Sequence, residues 1–163
     1  MKKVVSFVLV LVTILSIGVT ALAAPSPVVP PDRPPVTQPD VNIGLAICNK
    51  DDKTIAIVPG KDVKRILPTQ ADKLDPADKE AFLAAYEEAK NIKDKVVQDF
   101  FWLDIPDKYK NLADFAYAKL TFECKGDNVE VSVNGKPMEV VEQAENSYFA
   151  KITEFGSVCI TSD

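Results

Sequence analysis

No histidine occurs anywhere in this chain of 163 residues. That absence removes the Ser-His-Asp and Cys-His arrangements of nucleophilic catalysis and every metal site that needs an imidazole. Cysteine is scarce as well: Cys48, Cys124 and Cys159 are the only three, too few and too scattered for a four-thiolate zinc site. They admit three alternative single disulfides, yet so low a count points to free, mostly buried thiols that behave as small hydrophobes. No run of Lys and Arg makes a basic patch; the densest, "KDVKR" at 61–65, is interrupted by Asp62. With a formal net charge of −5, such a chain does not draw nucleic acid or anionic lipid to itself. "NKDDKT" at 49–54 lacks the glycine and the terminal glutamate of a calcium loop. A carboxylate pair stays formally open, because 24 Asp and Glu are present. Most of them fall in turns or on a wet helix face, so no catalytic residue, metal ligand or cofactor is assigned.

What is present begins with a leader. Lys2 and Lys3 precede the uncharged apolar run "VVSFVLVLVTILSIGVTALAA", and the small-x-small triplet Ala21-Leu22-Ala23 predicts a signal peptide over 1–23, cut after Ala23. Cleavage one residue later would place Pro25 directly after the scissile bond. A leader left uncleaved is the alternative, since about 20 apolar residues span a bilayer. No cysteine stands near the cut, which argues against a lipoprotein. Residues 24–40 then carry proline at almost every second position, "PSPVVPPDRPPVTQPD". Such a stretch lacks backbone donors and buries little, so an extended polyproline II stalk is expected; at about 3.1 Å per residue it reaches roughly 50 Å.

Residues 41–163 are one domain's worth of chain. "NIGLAIC" and "KTIAIV" alternate around the polar "NKDD", which predicts a hairpin ending at Pro59-Gly60. The period then changes: Asp75 as N-cap, Pro76 at the first helical position and Asp78 in the first turn predict a helix over about 76–91. Its apolar stripe is Phe82, Ala85, Tyr86, Ala89 and Ile92. From Val96 the period returns to two. "FAYAKLTFE", "VEVSV", the turn dipeptide Asn134-Gly135 and "SYFAKITEFGSVCIT" predict closely spaced strands joined by hairpins. The expected fold is mainly β (α+β), an antiparallel sandwich with one amphipathic helix packed on it. Its buried rows are Leu120, Phe122, Val131, Val133, Val140, Phe149 or Tyr148, Ile152, Val158 and Ile160. Parity places Cys124 with the core row and Cys159 on the face opposite Val158 and Ile160.

"DFFWLDIP" at 99–106 holds the one tryptophan. One parity carries Val97, Phe101, Leu103 and Ile105, spoiled only by Asp99; the other carries Phe100 and Trp102 among polar residues. The structural reading buries Trp102 and Phe100 beneath the Phe82/Tyr86 stripe of the helix. The functional reading exposes Trp102 and Phe100 as a sugar-stacking platform, with Tyr109 or Tyr117 as helpers.

The order helix "ADKEAFLAAYEEAK", strand "VVQDFFWLDIP", then "VEVSVNGKPMEVV" and "YFAKITEFGSVCI" resembles the small Ig-like β-sandwich modules of secreted and surface proteins of clostridial-type Gram-positive bacteria. The resemblance covers residues 77–160 and rests on pattern. It implies an Ig-like sandwich in a non-enzymatic extracellular role, with no catalytic residues to carry over. "LPTQ" at 67–70 is neither the sequence nor the place of a sortase signal. The resulting expectation is a non-catalytic module that is secreted or associated with the cell envelope, with an extracellular protein or glycan as partner. Nucleic acid is not expected as a partner, and a membrane only through an uncleaved leader. A carbohydrate-binding module and a small secreted hydrolase or hydrolase inhibitor are the alternatives.

Overall fold

The computed structural model describes residues 43–163; the expected signal peptide at 1–23 and the proline-rich stretch at 24–40 lie outside them. Every stretch with period two becomes a strand. β1 (Gly44–Cys48), β2 (Thr54–Val58), β5 (Tyr117–Glu123), β8 (Glu139–Ala144) and β9 (Ser147–Ile152) form one sheet in the order β2-β1-β5-β9-β8. β3 (Lys64–Ile66), β4 (Val96–Asp104), β6 (Glu130–Val133), β7 (Lys136–Pro137) and β10 (Gly156–Ser162) form the second, in the order β3-β4-β10-β6-β7. All pairings are antiparallel. The fold is a β-sandwich carrying one long helix, α1 (Pro76–Lys90), and a short one, α2 (Asp107–Lys110).

The two sheets close over one apolar layer. Leu45, Ile47, Leu120, Phe122, Ala150 and Ile152 enter it from the first sheet, and Phe101, Leu103, Val131, Val133, Val158 and Ile160 from the second. Alternation assigns these rows correctly, because successive side chains on a strand point to opposite faces. Tyr148 is the β9 residue that packs inward, its ring 6.0 Å from that of Phe122; Phe149 points out. Cys124 joins this core and Cys159 lies on the other face, both as parity predicts. Asn134 (φ 50°) and Gly135 (φ 77°) both sit in the left-handed region that a two-residue type I′ turn requires. Asn134 also fastens the start of β10, accepting from the Ser157 amide at 2.9 Å and donating to the Phe155 carbonyl at 3.1 Å.

A second, smaller core lies beneath α1. Phe82 is fully buried, with its ring 5.3 Å from Phe100 and 6.0 Å, edge to face, from Trp102. Tyr86 lies 5.2 Å from Phe100, and Ile66, Ala71, Leu74, Ala89 and Cys159 complete the layer. "FFW" therefore joins two apolar layers, Phe101 between the sheets and Phe100 beneath the helix. Trp102 is half-buried, less enclosed than the structural reading expected, and lies at the rim of that layer against Phe82. Three further details depart from expectation. Asp75 occupies the N-cap without a side-chain hydrogen bond to the helix, its carbonyl accepting from Lys79 at 2.8 Å. Ile92 lies past the helix end and is exposed. Val97 packs on the helix side rather than with Phe101, because Ile160 faces Asp99 while the next residue, Thr161, faces Val97. Gln98 is thus the extra residue of a bulge that reverses parity; its amide donates to Ser162 Oγ at 2.8 Å.

Asp99 consequently stays on the inward face at 0% exposure, paired with Arg65 of β3 at 2.6 Å. The Arg65 guanidinium lies 4.8 Å from the centre of the Phe101 ring. A lost partner in a buried pair costs more than the pair contributes. Arg65→Met is therefore expected to lose about 3–5 kcal/mol in urea unfolding, whereas Arg65→Met with Asp99→Leu recovers most of the loss. A double variant as weak as the single one would contradict the buried pair. Burial likewise ranks the aromatics: Phe82→Ala should cost about 3–5 kcal/mol and Trp102→Ala distinctly less. The same unfolding curves, if they showed the larger loss at Trp102, would overturn this ranking.

Candidate functional site

Four aromatics were the sequence's candidates for ligand contact, and the fold does not bring them together. Phe100 is buried at 3% exposure, with rings of the helix on it, so no face is left for a sugar. Trp102 stands beside it, its ring edge to face with Phe82. Tyr109 belongs to α2 and donates its hydroxyl to Asp62 at 2.8 Å, with Lys108 4.7 Å from its ring centre. Tyr117 lies on the other sheet and donates to Asp52 at 2.8 Å. Burial and that hydrogen bond push its hydroxyl above the ordinary phenol range.

The carboxylates are held singly by lysines. Lys108 and Tyr109 hold the Asp62 carboxyl below its ordinary range, and Lys136 does the same for Glu154. Tyr117 and Lys151 lower that of Asp52. Among the described residues no three His, Cys, Asp or Glu side chains gather as metal ligands would. A groove of about 470 Å³ runs between the end of α1 and β6–β7, lined by Ile92, Lys95, Ser132, Pro137, Met138 and Cys159 among others. Glu130 is its one carboxylate, and Lys95 binds it at 2.6 Å. Its thiol is held protonated: burial, with the Asp99 charge second, pushes Cys159 up to about 11. The groove thus has apolar walls, two hydroxyl side chains and two lysines, and Lys95 neutralises its carboxylate.

The other open feature is the outer face of the first sheet, which no helix of the described residues covers. The pairing register lays out a row across all five strands, Ile57, Ala46, Lys119, Lys151 and Glu139. Beside it runs a second row of Gly44, Thr121, Phe149 and Val141. Ile57 is 74% exposed. Lys119 Nζ lies 4.2 Å from the centre of the Phe149 ring, and Lys151 Nζ 5.3 Å from that of Tyr117. Lys151 also reaches Glu139 at 3.2 Å and Asp52 at 3.5 Å. The face is apolar in patches and crossed by the neighbouring pair Lys119 and Lys151.

Neither family models, curated proteins nor solved structures give a match to this chain. Its chemistry therefore rests on its own surfaces.

Sequence reasoning missed Ile57, Lys119, Phe149 and Lys151 as surface candidates. The signal was present in "TIAIV", where isoleucine stands at the parity opposite to the core residue Val58, and a face rich in both isoleucine and lysine is neither core nor plain solvated surface. No helix among the described residues is long and apolar enough to cross a membrane.

Cys48, Cys124 and Cys159 are free and buried. Only a thiolate attacks a disulfide reagent, and a thiol with its pKa near 11 is about one part in a thousand ionised at pH 8. Because all three thiols are also shielded by burial, the folded protein is expected to leave them unlabelled by a thiol-exchange dye at pH 8, and the same protein in denaturant to label three. Rapid labelling of even one thiol in the folded state would contradict this burial.

Proposed function

We propose that this chain is a non-catalytic extracellular module, held at the cell envelope, that binds another protein through the outer face of its first sheet. The observation that carries the reading is the pair of lysine-capped aromatics there. A sugar-stacking site needs a bare ring, whereas Lys119 lies over Phe149 and Lys151 over Tyr117. A face of isoleucine, valine and aromatic edges threaded with lysine suits a protein surface carrying apolar and acidic groups. The leader at 1–23, the proline-rich stretch at 24–40 and the resemblance to Ig-like surface modules supply the extracellular setting. The missing histidine and the singly paired carboxylates favour binding over turnover. A carbohydrate-binding reading would need Phe100 and Trp102 together in the open, and it loses support from the helix lying on Phe100.

The mature protein from Ala24 onward, incubated with envelopes of the producing cell, should be retained, and protease-shaved envelopes should not retain it. Lys119→Glu with Lys151→Glu should weaken retention about tenfold or more, the equivalent of about 1.4 kcal/mol. Trp102→Ala should leave it unchanged. Retention that survives shaving, or that follows Trp102 rather than the lysines, would overturn the proposal. Intact mass of the exported protein is expected to place its N-terminus at Ala24; a Met1 terminus would remove the extracellular setting.

A further inference from the structure

The four sheet edges of this sandwich are not guarded alike. An exposed edge strand offers unpaired N–H and C=O groups to any other strand, and edges are ordinarily blunted by shortness, charge or proline. β3 has three residues, of which Lys64 and Arg65 are basic. β7 has two, a lysine and a proline. β8 carries Glu139 and Glu142. β2, Thr-Ile-Ala-Ile-Val, has neither charge nor proline over five residues, and Ile55 and Ile57 stand exposed at 38% and 74%. Its one irregularity is a bulge at its start, where Thr54 faces Cys48 and Ala56 faces Ile47.

We propose that the β2 edge pairs with a second copy of this chain. Two β2 strands add antiparallel about a two-fold axis at Ala56, and the first sheets of two molecules become one continuous sheet. The sequence of the edge is self-complementary in that arrangement. Ile55 of one copy faces Ile57 of the other, twice over, so four isoleucines that are exposed in the single molecule cover one another, and β-branched pairs across strands are favourable. Thr54 faces Val58 of the partner. Beyond the strands, Asp51 of one copy approaches Lys61 of the other at each end, opposite charges that suit this register. The chain's own segment at 25–40 is a poor occupant of the same edge: prolines at both parities, Pro25, Pro27, Pro30 and Pro34 among them, would withhold ladder donors in any register. Pairing of five residues a side is small beside a standard interface of about 1,600 Å², so the dimer is reversible, with a dissociation constant in the micromolar range or weaker. The inference goes beyond the functional reading and does not depend on it; dimerisation would double the outer face that reading uses.

Sedimentation equilibrium on the mature protein over a wide concentration series tests the pairing. The weight-average mass is expected to rise from that of the monomer toward twice that value and to stop there. Ile57→Lys, at an exposed position where folding is indifferent to it, should hold the protein monomeric with an unchanged thermal midpoint. Val141→Lys, on the opposite edge strand β8, should dimerise as the parent does. A parent that stays monomeric to millimolar concentration overturns the proposal. So does a dimer that persists in Ile57→Lys, or a mass that keeps climbing past the dimer, since open-ended growth means a heterologous contact.

Discussion

One strand carries apolar side chains to both of its faces, and the architecture follows from the need to cover them. β4 sends Phe101 and Leu103 into the space between the sheets and Phe100 with Trp102 outward. A sandwich strand normally keeps its outer face polar, because water lies there. β4 and its neighbour β10, every residue of which is buried, depart from that rule, and α1 is what allows the departure. Phe82, set directly on Phe100, closes the second sheet. Among the described residues the first sheet has no such cover. The molecule is asymmetric as a result: one sheet is buried on both sides along its centre, and the other keeps a face for solvent or for partners.

The same strand holds the charge that the core would otherwise reject. Asp99 falls on the inward row, and a buried carboxylate without a close cation would protonate or force its way to water. Arg65 answers it from β3 and lays its guanidinium against Phe101. The pairing ties a three-residue edge strand to the interior of the sandwich. The bulge at Gln98 starts one residue further along and turns Val97 toward the helix, so the end of the strand serves the smaller core and its middle serves both. A buried pair of this kind contributes little net stability compared with an apolar pair of the same volume. It links the side chain of a β3 residue to β4 in addition to the backbone ladder between the two strands.

The distribution of charge on the remaining surface follows a consistent pattern. Lysines reach over aromatic rings on the first sheet and over α2; Lys108 pairs with Asp62, and Lys151 is shared between Glu139 and Asp52. The proposed binding role fits such a surface, whereas general acid–base work needs two groups whose environments separate their pKa values around one cavity. The groove beside α1 has the volume for a small molecule but holds a protonated thiol and a lysine-bound glutamate.

The sequence by itself determined the strand rows, the helix and its buried stripe, the Asn134-Gly135 hairpin and the faces of Cys124 and Cys159. Each of these is a local matter: side-chain parity, helical period and turn chemistry are set by residues within a few positions of one another. It also limited the chemistry, because a side chain that is absent cannot be supplied by folding. Tertiary structure alone decided which sheet the helix covers, that Val97 turns away from Phe101, that Asp99 meets Arg65, and that Trp102 stops at the rim. These depend on pairings between distant segments, such as 65 with 99 and 97 with 161, and on a bulge that shifts parity by one residue without any signature in the residues that form it. For the same reason the surface candidates moved: the aromatics that stood out in the sequence were drawn into packing, and the open face was assembled from five strands, none of which announces it alone.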